Sequence, residues 1–416
     1  MTTFNNGESG SSVRTKINAA ITSVDSLDTV LTVDSGHLGV NEASPTANLH
    51  VGGDMILDVA HPSSTSSLGI GTGALEDSSA ASATAIGVSA LKENTTGVRN
   101  TAVGNLAMRD NTTAANSTAV GYSALLLSNG GVNQAFGAFT LDANTTGSYN
   151  TAMGYQAMGD NVSGNYNVAI GGRGALGSCV SGTGNVAVGG YVALGSLDDG
   201  DYNVALGYFA GNQLEGGSHN VMIGRSAGLN IVDADSNVCV GYVSGNDLTS
   251  GQVNTCVGFN AGNTLTTGSN NTLLGRDATP SAANVNYEIT LGSSSVATLR
   301  CQQTSISALS DARDKDEIQD LSLGLDYIQQ VRPVEFVWQM RDGAVTGKKD
   351  FGFIAQEMQA VEDANDAPWV RSVLRNNPDR LEVAPAQLLP IAIKAIQELS
   401  AQVDELKAEI ATMKGS

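Results

Sequence analysis

Ser310 and Lys315 are the residues whose types and spacing could break a bond; they stand five positions apart in S-D-A-R-D-K-D-E-I at 310–318. A serine hydroxyl is a weak nucleophile until a neighbouring neutral amine takes its proton. Asp314, Asp316 and Glu317 flank the lysine and favour its ammonium form. The pair therefore becomes active only where packing strips water from the amine or turns those carboxylates away. The spacing equally allows Ser310 to cap a helix starting at Asp311, with the acids favouring its first turn. The rest of the chain offers less chemistry. The four cysteines, Cys179, Cys239, Cys256 and Cys301, form no CxxC pair and no set with His at metal-ligand spacing, so neither metal nor cofactor is expected.

The surroundings of the pair decide between its two readings. Composition changes near residue 300: twelve of the 21 Lys and Arg residues and both tryptophans lie in 310–416. V-R-P-V-E-F-V-W follows at 331–338, G-F-I-A-Q-E-M at 352–358, and L-E-V-A-P-A-Q-L-L-P-I-A-I-K-A-I-Q-E-L from 381. In order and spacing these segments, over residues 305–416, resemble the intramolecular chaperone auto-processing domain that follows phage endosialidases, tailspikes and L-shaped fibres. The resemblance implies Ser310 as nucleophile, Lys315 as its base, Leu309–Ser310 as the scissile bond, and cleavage that waits for a packed trimer. Gln356 and Glu357 are candidates to line the site. Leu389, Ala392, Ile396, Leu399, Val403, Leu406, Ile410 and Met413 form a heptad stripe, the pattern of a coiled coil whose strand number the stripe alone leaves open.

Upstream, the chain is built on a repeat. Gly87, Gly104, Gly121, Gly137, Gly154, Gly171, Gly189, Gly207, Gly224, Gly241, Gly258 and Gly275 recur at intervals of 16 to 18 residues, and Asn stands four residues before ten of the twelve. N-T-A-V-G, N-V-A-I-G and N-T-C-V-G are typical. A unit of this size cannot bury its own apolar face and must stack on its neighbours. The short alternating run predicts a strand, and the glycine a bend or a backbone approach that a Cβ would block. The repeated Asn suggests an internal side-chain ladder, and small residues three past the glycine, such as Ala90, Ala107 and Ala124, suit a narrow core. Cys239 and Cys256 take the place of Ala in consecutive repeats and read as small buried hydrophobes. Tyr122, Tyr155, Tyr208, Tyr242 and Phe259, each directly after a repeat glycine, form a candidate rail on which a glycan could stack; stacking on one another is the plainer reading.

Over residues 68–295 the repeat resembles the head repeats of trimeric autotransporter adhesins (YadA-like) and, equally, the glycine-rich shafts of phage tail fibres. The resemblance implies a mostly β fold, a left-handed parallel β-roll assembled as a homotrimer. Thirteen intervals would give a shaft on the order of 60 Å. So little apolar surface per repeat leads to the expectation that three chains share one interleaved core.

Residues 1–60 are assigned to virion attachment and trimer initiation, from a short heptad stripe (Val13, Ile17, Ala20, Val24, Leu27, Leu31) and a small β motif at 36–51; residues 61–300 to the shaft; and 301–416 to the α+β chaperone domain. A net charge of −20 would repel phosphate backbones and anionic lipid, and no apolar run is long enough to span a bilayer, so neither nucleic acid nor membrane insertion is expected. The expected function is a phage tail fibre, made in the host cytoplasm and carried on the virion. Its expected partners are tail or baseplate proteins and a host surface receptor, a glycan. A bacterial trimeric adhesin would need a signal peptide and a β-barrel anchor, and a glycan-degrading tailspike would need paired carboxylates; the sequence shows neither.

Overall fold

The recurrent glycine sets the geometry of the first part of the molecule. The computed structural model describes residues 31–34, 37–40, 49–51, 57–58, 67–79, 82–296, 298–300, 302, 308–341, 343 and 345–415. The chain divides into two compact units, Met1–Leu291 and Gly292–Ser416.

In the first unit, short strands from Leu68–Ile70 to Ile289–Leu291 stack in parallel in strict sequence order, and Leu57–Asp58 closes one end of this 15-stranded sheet antiparallel. Equivalent residues pair across rungs: Thr101 with Thr118, Ala102 with Ala119, Val103 with Val120. The result is a parallel β-solenoid of about thirteen turns. In most rungs the middle strand residue is buried and its neighbours are half-buried. The rung glycine is required twice over. Gly104 has φ +138°, and a Cβ on it would lie 2.3 Å from the carbonyl oxygen of Gly121, where no side chain can fit.

Each rung closes its own core, so the expected sharing of one core among three chains does not hold. In most rungs the Ala three or four past the glycine, the middle strand residue and the large apolar residue of the following bend are wholly buried within a single chain. The Asn ladder is present and continuous. Asn133, Asn150, Asn167, Asn185, Asn203, Asn220, Asn237, Asn254 and Asn271 form one buried column. Each side-chain oxygen accepts the backbone N–H of the next Asn, at 2.9 Å from Asn150 and 3.0 Å from Asn271. Each amide donates to a bend carbonyl, as Asn150 does to Gly164 at 2.8 Å. Buried amides are stable only when both ends are matched in this way.

Two further features bear on the N-terminal region. His37–Val40 pairs antiparallel with Leu31–Asp34 and parallel with Leu49–Val51, so the motif at 36–51 contains strands. Val13, Ile17, Ala20, Val24 and Leu27 of the N-terminal heptad lie outside the described residues, as does Cys301.

The second unit is α+β. A hairpin of Val334–Gln339 with Thr346–Gly352 accompanies helices α1 (Leu325–Gln330), α2 (Ala355–Ala364) and α3 (Leu389–Gly415). Tyr327, Met358, Ala367, Val370, Val373, Leu388 and Ile391 form its small core. Glu362 is wholly buried at its side and accepts hydrogen bonds from Ser372 N (2.7 Å), Ser372 Oγ (2.6 Å) and Arg375 Nη2 (2.7 Å). A buried carboxylate without such donors would be strongly destabilising. Helix α3 has two faces. Ile391 and Ala395 are buried, and Glu398 accepts the N–H of Leu325 at the start of α1 (2.7 Å). Leu389, Ile396, Leu399, Val403, Leu406, Ile410 and Met413 of the heptad stripe are exposed, Ile396 by 67%.

Candidate active site

Ser310 and Lys315 come together at the start of the second unit. Lys315 Nζ donates to Ser310 Oγ at 2.6 Å and reaches Ser310 O at 3.5 Å. Sequence separation does not produce this by default. Five extended residues would carry the ends roughly 17 Å apart, and a regular helix would turn residues i and i+5 to different faces. Instead a single 3₁₀ turn at Ala312–Asp314 reverses the chain, and Lys315 leaves it in extended conformation (φ −127°, ψ 141°). Asp311, not Ser310, caps this turn: its side chain accepts Arg313 N at 2.9 Å.

Both reacting groups are solvent-exposed, and Leu309 before them is fully exposed. A lysine ammonium can only donate in this contact. General-base action needs the reverse, with a neutral amine accepting from Oγ. No described residue of the same chain covers the lysine to favour that reversal.

Gln356 and Glu357 both lie at the start of α2. No hydrogen bond or ion pair among the described residues joins either to Ser310 or Lys315. Glu357 pairs with Arg332, through Nε to Oε2 at 2.9 Å and through a second contact from Nη2 to Oε1; these bonds hold its carboxyl below the usual carboxylate range. Gln356 lines a groove of about 860 Å³ together with Phe336, Trp338, Met340, Phe353 and Leu381. Sequence reasoning missed the Asp311–Arg313 contact. Its signal was present, an acid and an arginine two residues apart inside the motif.

Residues 310–367 match a peptidase S74 family model, the chaperone of endosialidase. The match opens on Ser310 itself and takes in the hairpin, α1 and α2, while α3 lies beyond it. No curated protein and no solved structure matches the chain. The matching model is that of a family of self-processing peptidases with a chaperone role in trimeric tail-fibre and tailspike proteins.

Along the solenoid the aromatic rail stacks on itself. Tyr242 and Phe259 lie face to face (5.3 Å between centroids, 9° between planes), and Tyr122 and Tyr155 both meet Phe139 edge-on. The Arg225 guanidinium bridges Tyr208 and Tyr242 at 5.9 and 5.6 Å. Such contacts hold adjacent rungs together. Among the described residues no cluster of His, Cys, Asp or Glu could hold a metal ion, and no helix is long and apolar enough to cross a membrane.

Proposed function

We propose that the protein is a homotrimeric phage tail fibre: the N-terminal region joins it to tail or baseplate proteins, the solenoid shaft carries host adhesion, and the C-terminal unit assembles three chains and then cuts itself away. The observation that carries the proposal is the 2.6 Å contact between Ser310 and Lys315, at the first residue of the family match.

Assembly is supported by what one chain leaves uncovered. Leu389, Ile396, Leu399, Val403, Leu406 and Ile410 of the α3 heptad stripe stand exposed on the single chain, and a row of such residues excludes water only against other helices. On the solenoid, the residue before each rung glycine faces outward from the sheet, as Phe136, Met153 and Ile170 do. That row of half-exposed apolar side chains repeats rung after rung and suits the close packing of parallel shafts, as in the YadA-like trimers that the repeat resembles.

The chemistry follows from position. Ser310 is adjacent to the bond it would cut. Lys315 takes the Oγ proton, Oγ adds to the Leu309 carbonyl carbon, the carbon–nitrogen bond breaks as the Ser310 nitrogen takes up the proton, and water then hydrolyses the resulting ester. Trimer packing would supply the missing step by removing water from the amine and lowering its proton affinity. Cleavage then reports completed assembly.

Intact mass under denaturing conditions, paired with native mass, tests the proposal. The wild-type chain should give a shaft ending at Leu309, and Ser310→Ala or Lys315→Ala should give trimers of full-length chains. A normally shortened shaft from either variant would reject the dyad, and a lone folded subunit would reject the assembly trigger.

A further inference from the structure

Hydrogen bonds engage four side chains of the motif in one short turn, and the catalytic proposal uses only two of them. Asp311 accepts three hydrogen bonds from Arg313, namely N to Oδ1 at 2.9 Å, Nε to Oδ1 at 3.0 Å and Nη2 to Oδ2 at 2.6 Å. Apart from the Ser310–Lys315 contact itself, little else in the described structure fixes this turn. Its own backbone bonds are two, Asp314 N to Asp311 O at 3.2 Å and Lys315 N to Ala312 O at 3.3 Å, and no residue within it is buried. A lone 3₁₀ turn on an exposed strand of chain is marginal in water. The arginine fork spans the turn from its cap to its middle, and a planar guanidinium fixes direction as well as distance.

We infer that Asp311 and Arg313 are positioning residues for self-cleavage: their clamp closes the turn that brings Lys315 Nζ to Ser310 Oγ. Neither touches the reacting atoms. The inference rests on the Ser310–Lys315 reading and gives two of the three other charged residues of S-D-A-R-D-K, Asp311 and Arg313, a role in it.

The test is a time course of cleavage in full-length chain made by cell-free synthesis, followed by denaturing mass over a range of pH. Ser310→Ala runs beside Arg313→Gln, Arg313→Lys and Asp311→Asn, and native mass checks each trimer. Loss of an exposed bidentate pair should slow cleavage about five- to tenfold, with the midpoint of the pH profile unchanged, because the clamp sets geometry and not the proton affinity of the lysine. Arg313→Lys keeps the charge but not the fork and should be slowed like Arg313→Gln. Wild-type rates in Arg313→Gln, full rescue by Arg313→Lys, a moved pH midpoint with an intact plateau, or loss of the trimer would each overturn the positioning role. If Ser310→Ala still cleaves, the underlying dyad fails instead, and the two failures are distinguishable.

Discussion

The early and late rungs of the solenoid fill the same narrow core in two ways. In early rungs the bend after the glycine carries a large residue in left-handed conformation, as at Leu91, Met108, Leu125, Leu141 and Met158. The middle strand residue is then Ala, and three positions past the large residue stands a polar one. Those polar groups make a second ladder: Asn111 donates to Asn94 at 2.7 Å, Asn144 to Ser128 at 3.1 Å and Asn161 to Asn144 at 2.8 Å. In late rungs the left-handed position is Gly211, Gly228, Gly245 or Gly262. The volume reappears at Met222, Cys239, Cys256 and Leu273 in the strands, and at Leu214, Ile231, Leu248 and Leu265 where the polar ladder had been. A Cβ on Gly245 would lie 2.4 Å from Cys239 Sγ, and one on Gly262 at the same distance from Cys256 Sγ. The repeat therefore conserves total core volume, not residue identity, as expected of a close-packed interior.

The largest effect should come from the feature both halves share. Gly104→Ala in an early rung and Gly241→Ala in a late one each push a Cβ to 2.3 Å from the carbonyl oxygen of the next rung, at φ +138° and +136°. Strain and clash together should cost more than about 3 kcal/mol in either place. Equal losses in thermal unfolding would show that rung spacing is independent of how the core is filled; a tolerated alanine would mean that the rungs can slide apart.

A smaller effect separates the halves. Gly245→Leu alone overpacks against Cys239 and should cost about 1–3 kcal/mol. The left-handed backbone is no obstacle, since Leu125 occupies the equivalent place with φ 52°. Adding Cys239→Ala converts the site toward the early pattern and should recover part of the loss. A double-mutant cycle without coupling would break the volume argument.

The glycine, the small residue after it and the Asn column were legible because each is enforced within one repeat and so recurs at fixed spacing. The volume exchange was not. Cys239 and Cys256 could be read as small hydrophobes replacing Ala, but their compensating glycines lie several residues away in another part of the rung, and only the fold brings them together. The site shows the same division. Ser310 and Lys315 were readable as a pair, whereas the clamp that joins Asp311 to Arg313 depends on a turn that no hydrophobic period announces. Glu357 looked available from sequence and is instead held by Arg332, which stands 25 residues earlier and meets it only through tertiary structure.

The smallest effect concerns the junction between the two core patterns. The rungs following Gly171 and Gly189 are each 18 residues long, and Cys179 sits in the first of them, wholly buried. Burial pushes its thiol up to about 12, against a weak opposing contact with the Gly182 carbonyl. At pH 8 only about one molecule in ten thousand would then carry the reactive thiolate. Cys239 is raised as well, first by its contact with the Cys256 thiol and then by burial. Alkylation by iodoacetamide should therefore be negligible at Cys179 and Cys239, and burial alone shields Cys256, while the rungs stay closed; the residual rate measures local opening. If the added residue in each long rung loosens the stack, mass spectrometry of labelled peptides should find Cys179 modified before Cys239 and Cys256. Equal rates would place the junction on the same footing as the regular rungs, with the extra residue absorbed at the surface and the core continuous through it.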